Sequence, residues 1–351
     1  MRVVNQIIAV ASTLIMLSSC ENKVTIETTV NEDGSVDKSF TIPKGDTAKG
    51  DYAIKTFGVL VKDGWTKTSS ITRPASVDKD GAIHSAEFKI NYTKAFPSVK
   101  EMNEALGYYS DTTLQTTAIF EKRFRWFYTY IFYSETYHPI NKLSLPIDDY
   151  ITREDSAFID RLPAEGKKIS KADSVYLASL NDKIFEKYGL DAVKEEYFQI
   201  MLTLIRSQKI EKRWEDTLRV HTVSLFKQLT EDKNIEADYL PKQMEAIGIP
   251  LDYIVAQKEF DALSKRLELK LAFITWTVDG KYNNIINMPG EVVNTNADSI
   301  SGNRLFFNPP AVKFIFKTHT LYAESRKMNY WAVIVSVLII GFTIFLFVRK
   351  K

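Results

Sequence analysis

The C-terminal part of the chain contains a long segment without a charged residue. From Tyr330 to Val348, nineteen consecutive residues carry no charge, and most of them are apolar. As an α-helix with a rise of ~1.5 Å per residue, this segment is about 28 Å long, which matches the ~30 Å hydrocarbon layer of a membrane. The sequence therefore predicts a transmembrane helix at residues 329–348. The alternative is a helix buried in a protein core.

The N-terminal segment has the pattern of a secretory signal peptide. Arg2 gives it a basic start, an apolar run extends from Ile7 to Leu17, and small residues follow. The apolar run is too short to cross a membrane, which takes about 20 residues. We therefore predict that residues 1–19 are a signal peptide and that the body after them is exported.

The residues at the end of this segment resemble a known processing site. Leu17, Ser18, Ser19 and Cys20 are similar to the lipobox of bacterial lipoproteins, in which the cysteine is acylated on sulfur and becomes the new N-terminus. The resemblance implies a lipoprotein with a fatty acyl group such as palmitate on Cys20. The alternative is a plain signal peptide that ends near a cysteine. Because Cys20 is the only cysteine, no intramolecular disulfide is possible.

The predicted export decides the orientation of the C-terminal helix. Tyr330 and Trp331 lie at the N-terminal end of this helix, and aromatic side chains favour the headgroup region. The basic residues 349–351 follow its C-terminal end. An exported body needs a helix that runs from outside to inside, so residues 349–351 are predicted to be a cytoplasmic tail. The predicted location is a bacterial inner (plasma) membrane, with the body facing the periplasm or the cell exterior.

The charge of the body argues against one class of partner. The chain has 46 Lys and Arg and 44 Asp and Glu. Arg2 and residues 349–351 supply four of the basic residues, which leaves 42 against 44 acidic residues in the rest. Domains that bind nucleic acid concentrate Lys and Arg on one face. The near-neutral body, with both signs scattered, predicts no nucleic-acid partner.

The body begins with strand patterns. Lys23–Val30 alternates apolar and polar side chains, as a half-buried strand does, and a turn with Gly34 leads to a second alternating stretch. In that stretch, Lys38 is the charged residue predicted to point inward. Later, Leu114–Tyr137 is apolar on both faces, which predicts one central strand. We assign residues 20–150 to the first β-rich part of the body.

Helical periodicity dominates the middle of the body. Leu177, Leu180, Ile184 and Tyr188 lie about one helical turn apart, and similar apolar stripes follow them. Gly189 is a candidate for the end of the first of these helices. We assign residues 151–267 to a helical insertion.

Strand patterns return towards the C-terminus. Leu269–Val278 and Val312–Lys317 are predicted strands in a second β-rich part at residues 268–328. The body thus has strands at both ends and helices between them, so the predicted fold class is α+β. The strands of the two ends need partners and are expected to pair with each other. We expect an antiparallel sheet built from N- and C-terminal strands, a helical insertion between them and one C-terminal transmembrane helix. The two ends of the body would then lie close together.

This layout resembles a family of envelope lipoproteins. A lipobox cysteine, an immediate strand, the turn Asp33–Ser35 and the segment Pro289–Val292 are similar to the LppM-type anchored envelope lipoproteins. The resemblance covers a minor part of the body and leaves out the helical segment. It implies a small α+β domain that binds lipid-like ligands outside the cytoplasm. The run from Pro289 to Gly302 and the residues Ala323–Arg326 also resemble a motif in membrane-anchored lipoproteins of Bacteroidetes-like bacteria.

The sequence contains no short motif that marks a catalytic, cofactor or metal site. It has no phosphate-binding Gly-rich loop, no His-Glu-x-x-His and no Gly-x-Ser-x-Gly. Its four histidines are far apart and lack the spacing of metal ligands. We therefore predict no catalytic residue, no cofactor and no metal ligand.

One aromatic cluster stands out in the β-rich stretch. Its members are Trp126, Tyr128, Tyr130 and Phe132. They are candidates for an apolar ligand site, for contact with the membrane, or for the core beside a central strand.

Together these features predict a membrane-anchored extracytoplasmic lipoprotein with a non-enzymatic function. Its expected partners are the membrane, through the lipid anchor and the helix, and an envelope protein or an apolar or lipid ligand. The alternative is an envelope hydrolase with a dispersed catalytic site, which would show converging side chains with shifted pKa values in a cleft.

Overall fold

The computed structural model describes residues 23–45, 55–59, 61–73, 76–77, 83–84, 87–107, 110–231, 239–278 and 280–350. The fold is α+β, and the chain divides into two compact units. The helical unit contains Ile140–Pro163 and Lys167–Asp279. The sheet unit contains Asn22–Pro139, Ala164–Gly166 and Gly280–Lys351.

Strands and helices are numbered in chain order over the described residues. The strands are β1 (Lys23–Val30), β2 (Val36–Gly45), β3 (Thr66–Arg73), β4 (Ser76–Val77), β5 (Ile83–His84), β6 (Glu87–Phe96), β7 (Thr116–Phe124), β8 (Tyr128–Tyr137), β9 (Lys281–Asn287), β10 (Glu291–Thr295), β11 (Ser299–Ser301), β12 (Arg304–Phe307) and β13 (His319–Met328). The α-helices are α1 (Val99–Leu106), α2 (Arg153–Arg161), α3 (Lys171–Asp182), α4 (Gly189–Ser207), α5 (Arg213–Val220), α6 (Thr222–Glu231), α7 (Tyr239–Ala246), α8 (Tyr253–Val278) and α9 (Tyr330–Arg349).

Two larger sheets form the sheet unit. Over the described ranges, one sheet has the strand order β11-β12-β9-β1-β2-β6-β3 and the other has the order β10-β13-β8-β7. The predicted N-terminal hairpin is confirmed, because β1 and β2 pair antiparallel up to Val30 and Val36. Their turn needs a residue with positive φ, and Gly34 adopts it at 91°.

The prediction of one antiparallel sheet is wrong. β1 pairs with β9 in parallel, so the larger sheet is mixed. The smaller sheet is antiparallel throughout its described strands. N- and C-terminal strands do share both sheets, since β1 pairs with β9 and β8 pairs with β13. A parallel pair requires a long crossover, and the many residues between β1 and β9 satisfy that requirement.

The prediction of a strand at Leu269–Val278 is wrong, because this segment is the last part of α8. The helix buries Ala256, Phe260, Ser264 and Leu267 at intervals of three or four residues, and then Phe273 and Thr277, which are four residues apart. Its final residues include β-branched and aromatic types that favour a strand locally. The burial pattern of the whole helix overrides that local preference.

The predicted strand at Val312–Lys317 is also wrong. The chain forms a short 3₁₀ turn there, Ala311–Phe314, and buries Phe314. Pro310 precedes the turn with a φ of −61°, the angle to which its ring restricts it.

The single strand predicted at Leu114–Tyr137 is a hairpin of two strands. β7 and β8 pair antiparallel from Thr116↔Tyr137 to Phe124↔Thr129. The second strand, β8, is central in its sheet, because it lies between β7 and β13. The prediction of a central strand is therefore right for one half of the stretch.

The first and last strands of the sheet unit run in the same direction. Glu32, in the turn after β1, forms an ion pair with Lys327 near the end of β13. Lys23 lies seven residues before Val30, which at ~3.3 Å per residue is about 23 Å. β1 therefore begins at the end of the unit opposite the start of α9. The prediction that the two ends of the body lie close together is wrong.

The core of the helical unit contains side chains from α4 to α8. The predicted helical stripe is confirmed, because Leu180, Ile184 and Tyr188 are all buried in helix. Gly189 does not end this helix. Lys183–Tyr188 is a π-helical segment in which the Gly189 amide donates to the Ile184 carbonyl, and α4 continues from it. A π-helical turn accommodates an extra residue without ending a helix.

Candidate functional site

Helix α9 exposes an unusually apolar surface. Over the described residues it is the one helix long and apolar enough to cross a membrane, with a mean hydropathy of 2.8. Only Ala332 of this helix is buried. A contiguous apolar surface of this size is rare on a soluble protein and marks a site of contact with a membrane or partner.

Asn329 joins β13 to α9 and holds the β7–β8 turn beside the helix. Its backbone amide donates to the Phe127 carbonyl at 2.8 Å. Its side-chain amide donates to the carbonyls of Arg125 and Trp126 at 2.8 and 3.2 Å, and its Oδ1 accepts from the Thr129 hydroxyl at 2.9 Å. These four bonds fix the position of the turn relative to the start of the helix.

The aromatic side chains of this turn pack against α9. We call residues 124–127 the hairpin tip. The ring of Phe124 stacks on Trp331 with centroids 6.0 Å apart, and Trp126 meets the same ring edge-on at 5.5 Å. Trp126 Nε1 donates to the Ser336 hydroxyl at 2.9 Å. The hairpin tip therefore lies along the first two turns of the apolar helix.

The four predicted aromatic residues do not form one pocket. Trp126 is in the turn, whereas Tyr128, Tyr130 and Phe132 share one half-buried face of β8. Tyr128 and Tyr130 contact each other at 6.4 Å, and Phe132 stacks on Tyr322 at 6.3 Å. Trp126 thus lies against α9, a contact that the sequence analysis did not predict, and the other three lie at the edge of the core. The ligand site and the membrane contact stay predictions.

Basic side chains lie over the first two rings of this face. The guanidinium of Arg326 is 5.0 Å from the centre of the Tyr128 ring, and that of Arg125 is 6.0 Å from the Tyr130 ring. Arg326 also pairs with Glu291 at 2.9 Å. The pairing raises the pKa of Arg326, mainly through the hydrogen bond that Glu291 accepts.

A second unusual group of residues, the polar cluster, is buried between the two sheets. Its members are Thr28, Lys38, Tyr133, Glu135, Tyr137 and Asn284. Lys38 Nζ lies 2.7 Å from Glu135 Oε1, and both side chains are almost fully buried. The same carboxylate oxygen accepts from the hydroxyls of Thr28 at 2.7 Å and Tyr133 at 2.8 Å.

Electrostatics keep the polar cluster ionised. Burial alone would raise the pKa of Glu135, but the charge and hydrogen bond of Lys38, with those from Thr28 and Tyr133, hold it below its ordinary value. Burial and the charge of Glu135 raise the pKa of Tyr133 well above its ordinary value. The inward position predicted for Lys38 is confirmed. Glu135 was missed, although it follows buried Ile131 and Tyr133 at strand spacing.

The helical unit contains an open groove of about 480 Å³. Its wall includes Phe198, Phe226 and the polar residues Tyr150, Asp191 and Lys194. The Tyr150 hydroxyl donates to Asp191 at 2.9 Å, and Lys194 lies 3.5 Å from the same carboxylate. Burial and this hydrogen bond raise the pKa of Tyr150. Asp191 thus accepts a hydrogen bond from Tyr150 and pairs with Lys194.

The remaining predicted sites receive no structural test. Cys20 lies outside the described residues. Within the part of the chain that the structure describes, no three His, Cys, Asp or Glu side chains are close enough together to hold a metal ion. No family model matches the sequence, and no curated protein or solved structure matches it either. The resemblance to LppM-type lipoproteins stays a prediction.

Proposed function

We propose that the protein is a single-span membrane protein of the bacterial envelope whose body acts at the bilayer surface by binding and not by catalysis. The observation that carries the proposal is the apolar surface of α9, which is exposed over most of its length. Twenty helical residues match the thickness of a hydrocarbon layer. A bilayer would cover such a surface on all sides.

The proposal places α9 across the inner membrane and both units outside the cytoplasm. Trp331 and Tyr330 would lie at the outer headgroup level, and residues 349–351 would remain in the cytoplasm, as basic tails do. The helical unit would be an insertion, because the chain between Pro139 and Gly280 belongs to it except for the short segment Ala164–Gly166.

Three groups with shifted pKa values lie in the polar cluster and not in a cleft, and Tyr150, which lines the open groove, has its hydroxyl bonded to Asp191. Tyr133, Glu135 and Tyr137 lie in a closed core, where a substrate does not reach them. Groups of this kind mark active sites when they line a cleft. The alternative of an envelope hydrolase stays a prediction from the sequence.

Lipidation of Cys20 is not needed by this proposal. A spanning helix already retains a protein in the membrane. Lys23 begins β1 at the end of the sheet unit away from α9, and the three residues from Cys20 to Lys23 extend at most ~10 Å. The proposal therefore rests on α9 alone. Lipidation stays a prediction, which globomycin treatment or Cys20→Ala would test through the apparent mass.

Membrane extraction tests the proposal directly. The full chain, expressed with its own N-terminal segment, should stay in the membrane pellet after alkaline carbonate and dissolve only in detergent. Protease added to spheroplasts should digest both units. Recovery of the protein without detergent, or a body that protease does not reach, would refute the proposal.

A charged residue in the middle of α9 sharpens this test. Ile339 is more than half exposed on α9, so Ile339→Lys should leave the packing of the body intact. A lysine at the centre of a bilayer costs about 2.5–3.5 kcal/mol, a shift of about 100-fold in insertion. The variant should appear largely in the carbonate supernatant. The matched control, Ile339→Leu, should behave like the parent.

A further inference from the structure

The hairpin tip exposes three aromatic side chains next to the helix that the proposed function places in the membrane. Phe124, Trp126 and Phe127 are 59%, 45% and 47% exposed. The rings of Phe124 and Trp126 contact Trp331, so their apolar surface is continuous with that of α9. We propose that the hairpin tip itself inserts into the outer leaflet beside α9, so that the body has a second contact with the lipid surface. This inference rests on the proposed function.

The contact with Ser336 indicates how deep the tip lies. Ser336 is six residues after Tyr330, which places it about 9 Å further along the helix axis. Since the uncharged segment begins at Tyr330, the indole of Trp126 lies at the level of the outer acyl chains.

The hydrogen bond of Trp126 supports the same position. An indole N–H that leaves water needs a partner, because unpaired donors are costly in hydrocarbon. Ser336 provides that partner from inside the apolar helix at 2.9 Å. A tip that remained in water would not need this bond.

The charges around the tip show which lipid chemistry is involved. The basic residues Arg123, Arg326 and Lys327 each form an ion pair with a carboxylate. Arg125, the basic residue of the tip itself, has its guanidinium 6.0 Å from the centre of the Tyr130 ring. Neutral phosphatidylcholine offers Arg125 no net negative charge, and the exposed rings supply the inserting surface, so we expect insertion there without dependence on salt.

Quenching by lipid-bound bromine tests the insertion. The full chain has five tryptophans, so Trp331→Phe keeps Trp126 as a reporter and Trp126→Phe keeps Trp331. The double variant gives the signal of the other three, which is subtracted. In phosphatidylcholine vesicles with brominated acyl chains, Trp126 should lose as large a fraction of its emission as Trp331, with the same loss at low and high salt.

The outcomes separate the two proposals. Quenching of Trp331 without quenching of Trp126 would overturn the insertion of the tip and leave the spanning helix in place. Absence of quenching at both positions would overturn the proposed function as well. Quenching of Trp126 only in anionic vesicles at low salt would overturn the apolar mode of insertion.

A thiol-labelling experiment covers the case in which a tryptophan variant fails to fold. In a Cys20→Ser chain, Phe127→Cys places the single thiol at the tip, and Ile71→Cys places it on β3, where Ile71 is 64% exposed. With the body facing outward from vesicles, a membrane-impermeant maleimide should label Ile71→Cys rapidly and Phe127→Cys much more slowly. Equal rates would overturn the proposal.

Discussion

Two regions of the sheet unit break the usual distribution of polar and apolar side chains in opposite directions. The polar cluster places the charges of Lys38 and Glu135 in the core, whereas the hairpin tip places Phe124, Trp126 and Phe127 on the surface. The cluster is satisfied internally, because its carboxylate accepts bonds from an ammonium and three hydroxyls. The rings of the tip remain open to the surroundings of the protein.

The difference shows which parts of the molecule depend on their environment. A buried ion pair is seldom a net source of stability, yet removal of one partner leaves an uncompensated charge that is costly. The contribution of the polar cluster to stability should therefore be the same in detergent as in a bilayer at a given pH. The exposed rings are unfavourable in water and favourable in a bilayer interface. The packing of the hairpin tip should therefore be more stable in a bilayer than in water.

The largest effect is expected from Glu135→Gln. The substitution keeps the shape of the side chain but leaves the ammonium of Lys38 buried without its counter-charge. The free energy of unfolding should fall by about 3–5 kcal/mol, measured by urea denaturation of the full chain in detergent. Adding Lys38→Met should restore part of the loss, because the second substitution removes the unpaired charge.

An exposed ion pair is the matched control for this prediction. Lys100 and Glu104 lie 3.9 Å apart on the surface of α1. Pairs of this type contribute about 0.3–0.5 kcal/mol, so Glu104→Gln should leave the unfolding midpoint almost unchanged. A similar effect of Glu104→Gln and Glu135→Gln would contradict the burial of the cluster.

The second-largest effect is expected from acid, which should remove the contribution of the polar cluster to the free energy of unfolding. The pKa of Glu135 in the folded protein lies below its ordinary value of 4.5. A depressed carboxyl pKa stabilises the fold fully above the ordinary value, and that stabilisation is lost as the pH falls through the folded-state pKa. The difference in unfolding free energy between the parent and Glu135→Gln should therefore shrink below pH 4.5. A difference that stays constant with pH would contradict the ionised pair.

The two regions also differ in how far the sequence predicts them. Strand alternation was enough to place Lys38 inside, and the same rule applied to β8 places Glu135 on the face of Ile131 and Tyr133. An inward charge on one strand and an inward charge of opposite sign on another indicate a buried pair. The β1–β9 pairing had no such signal, because parallel pairing is decided by contacts far apart in the chain.

The hairpin tip was hidden from sequence analysis by its composition. The turn between β7 and β8 contains Arg125, Trp126 and Phe127 and has none of the Gly, Pro, Asn or Asp residues that usually mark a turn. Local patterns therefore indicate one continuous strand. The turn is held instead by Asn329, more than 200 residues later. The composition of the chain was enough to predict the apolar helix α9. It did not predict the hairpin tip, which packs against that helix.

A smaller effect is expected where the tip is held to α9. Asn329→Ala removes three side-chain hydrogen bonds to Arg125, Trp126 and Thr129 but keeps the backbone bond to Phe127. At roughly 0.5–1.5 kcal/mol for each bond, with compensation by water for the exposed ones, we expect a loss of about 1–2 kcal/mol. Backbone amides at residues 125–128 should exchange faster with deuterium.

Asn296→Ala is the matched control for this loss. Asn296 also bonds a neighbouring strand through its side chain, to the backbone of Thr320 and Tyr322, at the opposite end of β13. Its substitution should remove hydrogen bonds of the same type without changing exchange at the tip. If Asn329→Ala leaves exchange at residues 125–128 unchanged, the rings packed on Trp331 and not the asparagine hold the hairpin tip. Phe124→Ala should then produce the increase in exchange, because it removes the ring that stacks on Trp331.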